Sequence, residues 1–261
     1  MRVTDLGLAS LNERFRAAEP VEVLRFAHRT FGDRAAILCS MQSSSAALCH
    51  LADRAGLAFD VLFVDTGVLH AETRATRDAL VQAHPNLRVI TLHPERTFAE
   101  QTTELGVLYL DVEGQRRCCD LRKSAPLRAL RGRYDALLAP LRRDEGGARA
   151  GVQPFALDAE MNALRVHPFA YLGHGGLEAY LAANAGPGGV VVNPLHGMGF
   201  PSIGCFPCTT PVLPDEPARA GRWRHLAGVQ YCGINPVDRG EAPAAVELPD
   251  RYATLLVTGG A

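Results

Sequence analysis

Five of the seven cysteines stand in patterns that could do chemistry: the adjacent pair Cys118-Cys119, the run Cys205-Phe206-Pro207-Cys208, and Cys232. Two vicinal thiols and a Cys-x-x-Cys supply four thiolate ligands, enough for a tetrahedral zinc ion or for an iron–sulfur cluster. Zinc sites usually draw on cysteines about two to four residues apart, and a directly adjacent pair is awkward around one small ion. The geometry therefore leans towards a larger cluster, with a redox dithiol at Cys205 and Cys208 as the competing reading. Cys39 and Cys49 lie in apolar runs, Ile37-Leu38-Cys39 and Ala47-Leu48-Cys49, and are expected in the core as small hydrophobes.

Charge adds a second signal. Every basic residue but one is Arg, and the exception, Lys123, follows the vicinal cysteines closely. Lys+Arg total 27 against 28 Asp+Glu, so the basic excess of a nucleic-acid-binding protein is missing. No apolar run approaches the roughly 20 residues needed to span a bilayer. Met1 to Pro20 carries Asp5, Glu13 and Glu19 and has no apolar signal core, which predicts a cytoplasmic protein. In that setting the cysteine pattern favours metal or redox chemistry over structural disulfides. The sequence leaves the oligomeric state open, a homo-oligomer included.

The elements that must position these groups follow from periodicity. Helices are expected over Leu6 to Phe31, broken at Pro20. Ala35 to Cys39 reads as a buried strand, followed by the polar stretch Ser40 to Ser45 and then a helix with Leu48, Leu51, Ala52 and Ala55 on one face, ending at Gly56. Val61 to Val64, Leu87 to Leu92 and Ala136 to Leu141 read as further strands, with a helix at about His70 to Ala83. Alternating strands and helices predict an α/β fold with a parallel sheet flanked by helices. Beyond Leu164 the pattern loosens into an irregular, Gly- and Pro-rich final third. With 47% hydrophobic residues the chain can bury a sizeable core. We assign residues 1–240 to one domain, with its core at 35–235, and 241–261 to a C-terminal extension.

Open parallel sheets bind ligands beyond the carboxyl ends of their strands. Ser40, Ser44 and Ser45 lie at one such end and Asp65-Thr66 at another. The serines could cradle an anion at a helix N-terminus, or simply cap that helix. The loop lacks the glycine by which phosphate loops let an anion approach the backbone, so the cap is favoured. Arg142, Arg143 and Arg149 follow the fourth strand in a loop, where arginines are more often solvated than functional.

Cys118-Cys119-Asp120-Leu121-Arg122-Lys123 resembles the vicinal-cysteine motif of the iron–sulfur sulfonucleotide reductases. Asn193-Pro194-Leu195-His196 and Gly199 to Thr209 are similar to their second cysteine block, and Arg219-Ala220-Gly221-Arg222-Trp223 follows at the family's spacing. Cys232-Gly233 stands where these reductases carry a C-terminal nucleophile. Ser40 with His50-Leu51, Val64 to Gly67 and Leu141 to Asp144 extend the resemblance. In the first loop, Met41-Gln42 occupies the stretch where the family has a glycine.

The resemblance implies a domain related to the adenine-nucleotide α-hydrolase (PP-loop) type, with one [4Fe-4S] cluster on Cys118, Cys119, Cys205 and Cys208. It implies adenosine 5′-phosphosulfate as substrate, thioredoxin or glutaredoxin as electron donor, and sulfite and AMP as products in assimilatory sulfate reduction. Cys232 would be the nucleophile and would form an S-sulfonocysteine. Gly228, Gly233 and Pro236 around it predict a hinged segment without regular structure. Lys123, Arg219 and Arg222 would meet the phosphate and sulfate oxygens, with Ser40, Ser44, Ser45, Asp65, Thr66, Arg142, Arg143 and Arg149 as further substrate contacts. Two other classes compete: another adenine-nucleotide enzyme of the same fold, and a non-catalytic iron–sulfur protein that binds a nucleotide.

Overall fold

The chain opens on a short strand, β1 (Arg2–Val3), and on α1 (Asp5–Arg14), whose first turn is capped by the Thr4 hydroxyl accepting the Gly7 N–H at 3.3 Å. In this computed structural model, which describes residues 1–226, 234–240 and 245–253, Pro20 begins α2 (Pro20–Phe31). Its missing N–H costs nothing at a first helical position. Val23, Leu24, Phe26, Ala27 and Phe31 turn the buried face of α2 to the sheet.

Strand and helix then alternate: β2 (Ala35–Leu38), α3 (Ser43–Arg54), β3 (Asp60–Val64), α4 (Ala71–Ala83), β4 (Arg88–Leu92) and α5 (Phe98–Leu105). Helix α6 (Val112–Cys119) runs through a π-helical turn, Asp120–Ser124, into α7 (Ala125–Arg128). β5 (Ala136–Leu138), the hairpin β6 (Phe155–Asp158) and β7 (Ala163–Val166), α8 (His174–Ala183), α9 (Pro236–Arg239) and β8 (Val246–Glu247) complete the order.

The main sheet runs β4-β3-β2-β5-β7-β6, parallel throughout except for β6. This is the expected α/β architecture. All four residues of β2 and all three of β5 are buried, as strands covered on both faces must be. The chain leaves β2 towards β3 and β4 on one side and later adds β5 and β7 on the other. The crevice for ligands in such sheets opens where strand order reverses. Here that point lies between β2 and β5, so the loops beginning at Cys39 and Ala139 face one another.

Two features go beyond these expectations. The final third is less irregular than its composition suggests, because β7 continues to Val166 and α8 forms beyond it. Within the segment assigned to an extension, β8 pairs antiparallel with β1, and Val246, Leu248 and Tyr252 are buried in the main core. The Tyr252 hydroxyl also donates to Asp135 Oδ2 at 2.6 Å. Residues 245–253 therefore pack against the main core. Cys39 and Cys49 are buried in the core as expected.

Candidate functional site

Asp111 caps α6 by accepting the Gly114 N–H at 2.8 Å, and Cys118 and Cys119 are the last two residues of that helix. The π-helical turn begins directly after them, a distortion that recurs at functional sites. The second cysteine block reaches the same place by non-local pairing. After β3 the chain turns at Asp65-Thr66-Gly67, with Asp65 Oδ1 accepting the Gly67 N–H at 2.9 Å. Leu69 then pairs with Cys205, and the Phe206 N–H donates to the Val68 carbonyl at 2.8 Å. On the far side Thr209 pairs with Arg222, and the Trp223 N–H donates to the Cys208 carbonyl at 2.9 Å. Cys118, Cys119, Cys205 and Cys208 thus line one cavity together with Arg122 and Lys123.

Polar side chains are aimed at the sulfurs. Gln115 Nε2 donates to Cys119 Sγ at 3.1 Å, Gln101 Nε2 to Cys118 Sγ at 3.6 Å, and Thr66 Oγ1 lies 3.2 Å from Cys205 Sγ. Burial pushes the Cys208 thiol up to about 12, Cys205 adds to that, and Lys123 opposes it. Burial likewise raises Cys118. Such thiols ionise only against a strong local cation, as metal ligation provides. Among the described residues no group of three His, Cys, Asp or Glu side chains is arranged to hold a metal ion. Four thiols around one cavity, with amide donors directed at two of them, nevertheless form a donor set suited to an iron–sulfur cluster.

Sequence reasoning passed over Arg122, although it stands inside the quoted cysteine motif. It is buried, donates from Nε to the Thr66 carbonyl at 2.6 Å and from Nη1 to Gln101 Oε1 at 3.1 Å, and its guanidinium lies over Phe98. Burial lowers its pKa, while the nearby Cys118, Cys205 and Asp65 oppose that shift. Gly67 leaves room for it: a Cβ there would lie 2.9 Å from Nη2, and the φ of +77° favours glycine independently. Arg222 is buried in the same manner. It donates to Ser202 Oγ at 3.3 Å and to the Ile203 carbonyl at 3.2 Å, and stacks 4.4 Å from the Trp223 ring. Its Nε has no hydrogen-bond partner among the described residues. Arg219 also lies over the Trp223 ring, at 5.9 Å.

At the β2 end the serines serve the loop itself. The N-cap of α3 is Gln42, not a serine. The Gln42 N–H donates to Ser45 Oγ, and the Ser45 N–H is held by the Gln42 side chain. The Ser43 N–H goes to His196 Nε2 at 3.1 Å. The N–H groups of Gln42, Ser43 and Ser45 are thus engaged by the chain. Ser40 donates to or accepts from Ser45 at 3.4 Å, and Ser44 is half-buried. Met41 has φ +58°, so the left-handed conformation a glycine would serve is kept with a buried Met.

The loop arginines after β5 are not solvated. Arg142 is buried and faces Asp144 at 3.0 Å and Glu145 at 3.4 Å. Arg143 lies over the Tyr171 ring and donates to the Val152 carbonyl. Arg149 is committed to two carboxylates, Glu145 at 2.6 Å and Asp238 at 2.6 Å. That double pairing fixes its guanidinium between elements distant in the chain. Cys232 lies outside the described residues.

An open, mainly parallel α/β sheet with a four-cysteine cavity beside its carboxyl-end crevice defines the class. Residues 34–211 match the phosphoadenosine phosphosulfate reductase domain, and the chain belongs to that family. It is similar to adenosine 5′-phosphosulfate reductase of Streptomyces coelicolor, 40% identical over 84% of this chain and 89% of that one. The protein of the same name from Mycolicibacterium smegmatis is 38% identical, over 89% of this chain and 96% of its own. Among solved structures, phosphoadenylyl-sulfate reductase of Candida auris, in a phosphate complex, superposes with a TM-score of 0.66. That structure is 19% identical over 80% of this chain and 98% of its own, a likeness of fold. Among the described residues no helix is long and apolar enough to cross a membrane.

Proposed function

We propose that this protein reduces adenosine 5′-phosphosulfate to sulfite and AMP in sulfate assimilation. The observation that carries the reading is the gathering of four cysteines, Lys123 and Arg122 around one cavity, in a chain whose relatives at 38–40% identity are named adenosine 5′-phosphosulfate reductase. Cys118, Cys119, Cys205 and Cys208 would hold one [4Fe-4S] cluster. When bound, it would keep the four sulfurs as thiolates and tie the two cysteine blocks together.

In the first step the Cys232 thiolate attacks the sulfur of the sulfate group. An S–S bond forms, the bond from sulfur to the bridging oxygen breaks, and AMP leaves with that electron pair. Lys123, Arg219 and Arg222 meet the phosphosulfate oxygens, so that charge developing on the leaving phosphate is matched by fixed cations. Arg142 and Arg143 border the nucleotide side of the crevice. In the second step a thiolate of a protein dithiol, thioredoxin or glutaredoxin, attacks Cys232 Sγ and expels sulfite. The second donor thiol resolves the mixed disulfide, so two electrons pass from the dithiol to sulfur and Cys232 is regenerated.

Anaerobically purified protein incubated with adenosine 5′-phosphosulfate alone should gain the mass of one SO₃ group on Cys232 and release AMP. Cys232→Ser should bind AMP and retain iron yet form no sulfite. Sulfite formation by that variant at the parent rate would overturn the mechanism.

A further inference from the structure

We propose that residues 234–240 form an ionic anchor for the chain bearing Cys232, with Arg149 and Arg165 as positioning residues. The inference rests on the reading of Cys232 as nucleophile. The anchor itself stands on described residues.

Arg149 grips Asp238 with both arms of its fork, Nε to Oδ1 at 2.8 Å and Nη2 to Oδ2 at 2.6 Å, while Nη1 holds Glu145. The two side chains are only 16% and 11% exposed, so salt screens this pair far less than a surface bridge. Arg165 is buried, pairs with the buried Asp158 at 2.7 Å, and donates from Nη2 to the Ile234 carbonyl at 2.6 Å. Arg239 adds Glu160 at 2.8 Å. Between these charges Val237 packs against Ala139, Leu141, Val152 and Ala170. The segment is thus bound through charge, backbone and apolar contact at once.

The consequence for Cys232 is covalent. Cys232 precedes Ile234, whose carbonyl Arg165 holds, by only two residues. The chain is also tied before it, where His225 Nε2 is hydrogen-bonded to the Tyr109 carbonyl at 2.8 Å. The described chain on either side of Cys232 is thus attached to the domain. Moreover, Arg149 sits on the loop that presents Arg142 and Arg143. The anchor therefore holds the nucleophile's chain and a wall of the nucleotide crevice at a common distance, raising the effective concentration of thiol at the bound sulfate.

The test uses Arg149→Met, Asp238→Asn and the exchange Arg149→Asp with Asp238→Arg in the full holoprotein. Three quantities are measured: amide exchange over 234–240, affinity for AMP, and the rate of S-sulfonation of Cys232 without donor. Each single variant should lose exchange protection over 234–240 and slow S-sulfonation about 10- to 100-fold, with AMP affinity within about twofold of the parent, and the exchange should recover part of the rate. Unchanged exchange protection would show that no anchor exists. Lost protection with an undiminished rate would show that it positions nothing, and an equal loss of AMP affinity would return Arg149 to the substrate contacts. Failure of the functional reading is separate: the parent would then form no S-sulfonate at all.

Discussion

Replacing Gly204 by alanine adds one methyl group at the point where Arg222 passes the second cysteine block. A Cβ at this position would lie 2.6 Å from Cζ and Nη2 of Arg222 and 2.8 Å from Nε. That is nearly 1 Å inside the roughly 3.5 Å at which carbon contacts become favourable. Gly204 is outside the left-handed region, so the backbone accepts alanine, and the loss of unfolded-state entropy alone would stabilise by about 0.4–1 kcal/mol. The contact reverses that sign. Overpacking costs about 1–3 kcal/mol, and the hydrogen bonds of the charged Arg222 to Ser202 and Ile203 are worth about 1.5–3 kcal/mol when lost. The two costs overlap, because moving the guanidinium is what relieves the clash. We expect a net loss of about 1–3 kcal/mol in anaerobic urea unfolding, with AMP affinity falling towards that of Arg222→Ala. In an Arg222→Ala background the methyl has room, and Gly204→Ala should be neutral or stabilising by up to about 1 kcal/mol. The double-mutant cycle should therefore return a coupling of about 1–4 kcal/mol. Additive effects would refute the argument, since Arg222 would not then be resting on Gly204.

Lys123→Ala should weaken adenosine 5′-phosphosulfate far more than adenosine in calorimetric titrations, because only the former carries the anion that a fixed cation recognises; equal losses would make Lys123 structural. Purified parent protein should be brown with about four irons per chain, and Cys205→Ser should lose them while Cys39→Ser keeps them; stoichiometric zinc without iron would exclude the cluster. Burial holds His167 down at about 4, against an ordinary 6.5, despite its hydrogen bond to the Gln153 carbonyl. The native ring thus stays neutral where the unfolded ring takes up a proton, so its stabilisation is complete above about pH 6.5 and is lost as pH falls towards 4, by about 3 kcal/mol in all. His167→Gln should flatten the parent's stability–pH slope across that window, and an unchanged slope would contradict this account. His50, His70 and His196 are shifted in the same direction by burial, so a residual slope will remain.

Much of the frame was legible in local sequence. Strands β2, β3 and β4 fall within one residue of their apolar runs while β5 ends three residues before its run does, and Pro20 and Gly56 punctuate helices as their backbone preferences require. The cysteine spacing alone named the four sulfurs that converge on the cavity. The short hairpin β6–β7 escaped because its residues lie in no long periodic run, and its pairing is supplied by β5.

What only the tertiary structure decided is how the charged and polar groups are distributed among partners distant in the chain. Arg122 reaches the Thr66 carbonyl across 56 residues, Ser43 reaches His196 across 153, and Arg149 reaches Asp238 across 89. From sequence, Arg149 and Arg222 are two arginines near a recognised motif. In the fold one is saturated by carboxylates, while the other keeps a buried Nε without a partner among the described residues. Periodicity and spacing determine which residues face the core and which neighbours share a helix, because those are short-range properties of the backbone. The partner of a buried charge is set by where the sheet order brings the loops together, and that is a property of the assembled fold.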